Sequence, residues 1–161
     1  MRSRFAIAIA AAMLGAVALG GAALATPATL VTSTTLATGS LDPQNFVVKS
    51  GDWVAQLRTK GDTSMTVTEN RVAAGGSFGW HSHPGPSLVV VKSGTVTFYR
   101  ADDPTCTGVT HTVGDAYIDP GSATHIARNE TTEELVLIVT RFAPVGVPTR
   151  IDQPSPGNCS F

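Results

Sequence analysis

The segment that decides the fold is residues 75–94, GGSFGWHSHPGPSLVVVKSG. His81 and His83 are separated by one residue, and residues i and i+2 of a β-strand point to the same face. Both imidazoles can therefore converge on one point, as two ligands of a metal ion must. A third histidine then has to come from elsewhere in the chain, and His111 and His125 are the two candidates.

The chain around this segment has the pattern of an all-β protein. From Phe46 onward, short β-branched runs alternate with clusters of Gly, Asp, Pro and Asn, and no amphipathic stretch reaches helix length. Several short strands at this spacing predict a sandwich or a barrel. Ser93-Gly94, between two such runs, predicts a tight hairpin.

Two of the predicted strands, residues 87–91 and 135–139, are apolar at positions of both parities. A strand of this kind is expected to be covered on both faces. A second sheet on one side and a partner subunit on the other would supply the cover, so we predict a homodimer. The alternative is a central strand whose outer face is covered by the N-terminal or C-terminal arm.

Two motifs carry a resemblance to a known family. Fixed offsets separate Gly75, His81, His83, Ser87 and Gly94 in the first motif, and Gly114, Pro120, His125 and Asn129 in the second. The pattern resembles the two motifs of the cupin family over about residues 70–142. It implies an all-β cupin double-stranded β-helix, a jelly-roll barrel.

The resemblance also implies that His81, His83 and His125 bind one divalent metal ion inside the barrel. The usual fourth ligand of the family is a Glu at the position of Ser87, and Ser122 stands where the second motif usually has Gly. Three neutral imidazoles favour Zn, Cu, Fe or Ni over Mn or Mg. Ser87 is expected to orient a metal-bound water without being a ligand. The remaining histidine, His111, is expected to face solvent.

Further residues are candidates for the surroundings of the metal or for a substrate pocket: Ser87, Trp80, Asn129 and Tyr117. Trp80 is the weaker choice, since it also suits core packing. Tyr117 could reach the barrel interior as an acid or base. No catalytic residue is identified, because the Glu that often serves as a base is absent.

Three functions remain open at this level. The first is a metal-dependent oxygenase, isomerase or hydrolase that acts on a small molecule. The second is a non-catalytic protein that binds a metal or a small ligand, and the third is a relic cupin without metal. The fold alone does not separate enzyme from binding protein, because this barrel hosts many unrelated functions.

Charge argues against a nucleic-acid partner. The formal net charge is −1, only 14% of the residues are charged, and the sequence has no Lys/Arg run.

Residues 1–25, MRSRFAIAIAAAMLGAVALGGAALA, are typical of a secretory signal peptide. Two arginines precede a long apolar run that ends in Ala23-Leu24-Ala25, a small-x-small cleavage signal. We predict cleavage after Ala25, a secreted or cell-envelope location, and no membrane attachment after cleavage. The alternative is an uncleaved membrane anchor.

The rest of the chain divides into an N-terminal arm (26–45) that includes one edge strand, the cupin barrel (46–142) and an extended C-terminal tail (143–161). Cys106 and Cys159 are the only cysteines. In an oxidising compartment they are expected to form one disulfide that anchors the tail, the alternative being two free thiols.

Overall fold

The computed structural model describes residues 24–161, so the predicted signal peptide lies almost wholly outside the described residues. No helix long and apolar enough to span a membrane occurs in this part of the chain. The described residues form twelve strands: β1 Thr29–Leu41, β2 Asn45–Ser50, β3 Trp53–Arg58, β4 Thr63–Ser77, β5 His81–Ser82, β6 Ser87–Ser93, β7 Thr95–Arg100, β8 Val109–Thr112, β9 Ala116–Asp119, β10 His125–Arg128, β11 Leu135–Pro144 and β12 Ile151–Asp152.

The strands curl into a nearly closed antiparallel barrel. One layer has the order β1-β4-β11-β6-β9, and the other has the order β12-β5-β10-β7-β8. The layers join where Ser77, at the end of β4, pairs with Arg128 of β10. The prediction of an all-β jelly-roll barrel is confirmed.

Alternation along the strands separates the core from the outer surface. In β6, Val89 and Val91 are buried, whereas Leu88 and Val90 between them are exposed. A continuous apolar cluster fills the interior. It consists of Val72, Phe78, Val89, Val91, Val96, Ala127, Leu135, Leu137 and Val139.

One interior row is polar, and it lies beside the apolar cluster. The strand register places Arg141 of β11 opposite Ser87 of β6, and Ser87 opposite Asp119 of β9. The next inward row holds Val139, Val89 and Tyr117. Because side chains alternate with period two, the three polar residues share one face of three neighbouring strands.

The prediction of a tight hairpin at Ser93-Gly94 is wrong, because β6 and β7 do not pair with each other. Strand β6 is bonded to β9 and β11, whereas β7 is bonded to β8 and β10, so the two strands belong to opposite layers. Gly94 has φ +77°, a conformation that L side chains rarely adopt, and a Cβ there would lie 2.6 Å from the Glu134 carbonyl oxygen. The Ser-Gly pair therefore redirects the chain from one layer to the other.

The N-terminal part contributes the predicted edge strand and a separate hairpin. β1 pairs along β4 from Thr29 to Leu41. β2 and β3 pair only with each other among the described strands. On one face of this hairpin Phe46, Val48 and Trp53 are exposed.

The C-terminal tail is fastened to the barrel at several points. The predicted Cys106–Cys159 disulfide is confirmed, and it ties the tail to the loop between β7 and β8. β12 pairs with β5, which places Asp152 opposite His81. The Gln153 N–H also donates a hydrogen bond to the Trp80 carbonyl oxygen at 2.9 Å.

Candidate metal centre

Strands β5 and β10 bring the three histidines predicted as ligands into one place. His81 begins β5 and pairs directly with His125, which begins β10. His83 follows β5 and lies with its ring centroid 4.7 Å from that of His81 and 5.2 Å from that of His125. All three are buried, and one ring nitrogen from each lies within 4.8 Å of the others.

Each imidazole is oriented by a backbone carbonyl oxygen. His81 Nδ1 lies 2.8 Å from the Gly79 oxygen, and His125 Nδ1 lies 2.9 Å from the Ala123 oxygen. His83 Nδ1 lies 2.6 Å from the oxygen of Thr149, in the C-terminal tail. A carbonyl oxygen can only accept, so each Nδ1 carries the hydrogen and each neutral ring presents a lone pair at Nε2. This is the arrangement that holds metal-binding histidines in other proteins.

Burial keeps these rings neutral. It lowers the pKa of His81 to about 2 and that of His83 to about 4, and it also lowers the pKa of His125. The charge of Asp119 opposes the effect at His83 and His125, but burial outweighs it. At neutral pH the three rings are therefore in the form that binds a metal.

A buried carboxylate, Asp119, lies against two of these histidines, and the sequence analysis did not identify it. Asp119 Oδ1 accepts a hydrogen bond from the Gly121 N–H at 2.9 Å. Its Oδ2 lies 3.1 Å from His125 Nε2 and 3.4 Å from His83 Nε2. One signal was available: Asp119 is two residues from Tyr117, so strand alternation points both side chains inward.

The atoms that meet at this point are all acceptors. The hydrogens of His83 and His125 are used at Nδ1, so the Nε2 lone pairs face the lone pairs of Asp119 Oδ2 with no proton between them. Buried acceptors at such distances repel one another unless a cation lies among them. Three imidazoles with one carboxylate are a donor set that divalent transition metals accept. The residues present therefore fit a metal ion.

Ser87 lies beside the carboxylate, at the position where the cupin motif has its Glu. It is 2% exposed, and its Oγ has no hydrogen-bond partner in residues 24–161. Ser87 on β6 pairs directly with Asp119 on β9. The carboxylate of this cluster therefore comes from the neighbouring strand and not from position 87.

A cavity of about 30 Å³ adjoins the histidines, enough for roughly one or two water molecules. Its wall combines the polar cluster with apolar side chains. The lining residues are Phe78, His81, His83, Ser87, Val89, Phe98, Tyr117, Asp119, His125, Ala127, Leu137, Val139 and Arg141.

Of the candidate pocket residues other than Ser87, only Tyr117 lines this cavity. Burial, together with the nearby charge of Asp119, raises the pKa of Tyr117, so its phenol stays protonated and can donate. Its ring stacks on His111 at 4.3 Å between centroids, which places His111 outside the histidine cluster.

Trp80 and Asn129, also predicted to lie around the metal or in a substrate pocket, do not line this cavity and belong to its framework. Trp80 is 1% exposed and is absent from the cavity wall. The Asn129 amide donates to the carbonyl oxygens of Val72, Ala73 and Glu133, and its oxygen accepts from Thr131. Asn129 therefore fastens the turn before β11 to the end of β4.

Comparison with known protein families agrees with the cupin motifs seen in the sequence. A family model described as the cupin domain matches residues 69–141. No curated protein matches the chain.

Three solved structures to which the chain is similar at low sequence identity are the following. An uncharacterised protein with a double-stranded β-helix domain from Klebsiella pneumoniae is 18% identical, over 69% of this chain and 84% of that chain, with a TM-score of 0.46. A cupin-like protein from Thermotoga maritima is 20% identical, over 56% and 65%, with a TM-score of 0.46. A cupin domain from Bordetella pertussis is 23% identical, over 63% and 93%, with a TM-score of 0.41.

Proposed function

We propose that this chain, which belongs to the cupin superfamily by the match of the cupin model to residues 69–141, holds a metal centre that acts on a small molecule. His81, His83, His125 and Asp119 would hold one divalent transition metal ion: Zn, Cu, Fe or Ni. The observation that supports this most strongly is the convergence of three buried imidazoles, with one ring nitrogen of each within 4.8 Å of the others and Asp119 Oδ2 at 3.1 and 3.4 Å from two of them.

The activity we propose is that of an oxygenase, isomerase or hydrolase. When bound, the metal supplies a Lewis acid that can polarise a substrate or water. The chain's own residues contribute two hydroxyl groups on the cavity wall: the Ser87 Oγ, which lacks a hydrogen-bond partner among residues 24–161, and the Tyr117 phenol, which burial keeps protonated. The cavity is small, so only a few water molecules fit beside the reacting group.

We also propose that the protein works outside the cytoplasm. The pattern of residues 1–25 supports cleavage after Ala25, and the Cys106–Cys159 disulfide supports an oxidising compartment.

The test is the metal content of the mature protein, recovered from the compartment to which its host delivers it. We expect an N-terminus at Thr26 and about one equivalent of a transition metal by mass spectrometry. A folded, disulfide-bonded protein that binds none of the four metals, even after each is added, would contradict the metal centre. An intact residue 1–25 segment would contradict only the proposed export.

The homodimer predicted from the two-sided strands is retained as a proposal. Leu88, Val90 and Ile118 leave an apolar patch exposed on the outer face of β6 and β9, which neither arm covers in the described residues. The same chain carries a second apolar surface, on the face of the β2–β3 hairpin that holds Phe46 and Trp53. A two-stranded hairpin is marginally stable alone in water, and exposed patches of this kind mark interfaces.

A second copy fits both surfaces, since a two-fold dimer would let each hairpin cover the outer sheet of its partner. We expect light scattering to give the mass of a dimer, and Val90→Asp to shift it to a monomer without loss of the folded β signal. The matched exposed substitution on β6, Lys92→Asp, should remain a dimer. A monomeric wild-type protein at micromolar concentration would overturn the proposal.

A further inference from the structure

The cavity beside the three histidines is smaller than almost any organic molecule. Its volume is about 30 Å³, and each water molecule needs roughly 10–15 Å³ of such volume. Buried side chains of the core form part of its wall, among them Val89, Leu137 and Val139. A molecule that reaches the metal centre therefore has to fit this volume, unless part of the wall is removed.

A much larger cavity lies beyond one part of this wall. Its volume is about 310 Å³, and the N-terminal arm and the C-terminal tail supply five of its seven lining residues. Two of these, Ala28 and Ser33, are exposed, so this outer cavity reaches the surface of the protein. Phe78 and Arg141 line both cavities, and these two side chains therefore separate one cavity from the other.

Phe78 is the part of this wall that depends on packing alone. Its ring lies in the apolar cluster, 6.3 Å from the ring of His81 between centroids. Its backbone is fixed on both sides, because its N–H donates to the Ala127 carbonyl oxygen at 3.0 Å and its own carbonyl oxygen accepts from Arg150 Nη2 at 2.7 Å. Arg141, by contrast, is held by a side-chain hydrogen bond. The size of the Phe78 side chain therefore sets the thickness of the wall.

The Phe98 side of the histidine cluster gives much less room. Phe98 stacks on His125 with 4.9 Å between ring centroids, and it also lines a pocket of about 20 Å³ beside Arg100 and Pro120. That volume holds roughly one water molecule. Of these two neighbours of the histidine cavity, only the outer cavity has room for an organic molecule.

We propose that Phe78 determines the size of the molecule that reaches the metal centre. With Phe78 in place, the centre takes a molecule of about two or three non-hydrogen atoms, and larger molecules stop in the outer cavity. The inference rests on the proposed function, because it names the size class of substrate for that centre. It narrows the proposed activities to those in which the metal meets a very small molecule, such as dioxygen or a triatomic ion. An isomerase that acts on a sugar does not belong to this class.

The first experiment labels the metal-free protein with diethyl pyrocarbonate, which transfers an ethoxycarbonyl group to an imidazole nitrogen that carries a lone pair. The neutral rings of the cluster present such a nitrogen, so their protection from the reagent reports a lack of access. In the wild-type protein we expect half-buried His111 to be labelled, and His81, His83 and His125 to react at least about tenfold more slowly. Phe78→Ala should remove most of this difference, as measured by mass spectrometry of peptides.

The matched control enlarges the histidine cavity without opening it. Val139 lines that cavity, is buried and does not line the outer cavity. Val139→Ala should therefore leave the cluster protected. Phe78→Leu is a smaller change in the wall and should give an intermediate rate. It serves in place of Phe78→Ala if a thermal scan shows that the alanine variant is unfolded.

The second experiment loads the protein with Co²⁺, because the visible absorption bands of this ion change when a ligand joins its coordination shell. Azide is a linear ion of three atoms, whereas imidazole is a five-membered ring. Azide should change the spectrum of both the wild-type protein and Phe78→Ala. Imidazole should change the spectrum of Phe78→Ala alone.

Three results of the labelling experiment would overturn the proposal. The first is a wild-type cluster that reacts as fast as His111, and the second is equal protection in the wild-type protein and the folded Phe78 variants. The third is faster labelling of the cluster in Phe98→Leu than in Phe78→Leu, which would place the route of entry on the opposite side.

The two experiments together separate this proposal from the metal centre on which it rests. A protein that takes up no Co²⁺ but shows labelling that depends on Phe78 keeps the size limit and loses the metal centre. A Co²⁺-loaded wild-type protein that binds imidazole as well as Phe78→Ala does keeps the metal centre and loses the size limit.

Discussion

Replacing His83 with alanine is expected to reduce the metal content of the protein from about one equivalent to below about one tenth. The substitution removes one of three lone pairs that converge on the same point, and it leaves the Thr149 carbonyl oxygen without its donor. The readout is metal stoichiometry by mass spectrometry after dialysis against a weak chelator. His81→Ala and His125→Ala should behave in the same way.

His111→Ala is the matched control for this experiment. His111 is the remaining histidine of the chain; it stacks on Tyr117 and does not belong to the cluster of His81, His83 and His125. Its removal should leave the stoichiometry near one. Equal metal content in His83→Ala and His111→Ala would show that the metal, if any, binds elsewhere.

Asp119→Asn is expected to change the stability of the metal-free and metal-loaded proteins in opposite directions. In the metal-free protein at pH 8 the carboxylate faces the lone pairs of neutral His83 and His125. The asparagine amide can instead donate to His125 Nε2, while its oxygen keeps the Gly121 hydrogen bond. Replacing the buried charge of Asp119 by a neutral amide that donates to His125 should stabilise the metal-free form by about 1 kcal/mol or more.

In the metal-loaded protein the same substitution removes an anionic ligand. The dissociation constant for Zn²⁺ should rise at least roughly tenfold, and the gain in unfolding temperature on adding Zn²⁺ should shrink accordingly. Two thermal scans and one competition titration measure both effects. The matched control is Asp102→Asn, because Asp102 forms an exposed ion pair with Arg100 and should change neither quantity measurably.

If Asp119→Asn destabilised the metal-free protein and left Zn²⁺ affinity unchanged, Asp119 would be the partner of a protonated histidine. The sign of the metal-free effect therefore distinguishes a ligand from an ion-pair partner. The burial that lowers the histidine pKa values favours the ligand assignment.

Local pattern in the sequence predicted most of the strands and the convergence of His81 and His83. The i, i+2 spacing of these two residues fixes their common direction within one strand, whereas the choice of His125 over His111 came from the resemblance to the cupin motifs. The pattern of β6 is apolar at both parities, so it did not predict that Val89 and Val91 lie inside while Leu88 and Val90 are exposed. The inferences that succeeded depend on residues close together in the chain or on the fixed offsets of the two motifs.

The features that sequence reasoning missed depend on contacts between distant segments. Asp119 reaches the cluster only because β9 pairs with β6 in a register that places it opposite Ser87. Arg141 joins the same row through the pairing of β11 with β6. The hairpin prediction failed for a related reason, since pairing at Ser93-Gly94 is decided by which layer β7 joins and not by the two turn residues.

The hydrogen bond between His83 and Thr149 makes the arrangement of the metal centre depend on the C-terminal tail. The ribosome adds His81, His83 and His125 well before Thr149, and Cys159, which fastens the tail, comes later still. A nascent chain without these residues has no acceptor to orient the His83 ring, even if the barrel strands have already paired. The proposed geometry of the metal centre is therefore complete only once the C-terminal tail has docked on the barrel.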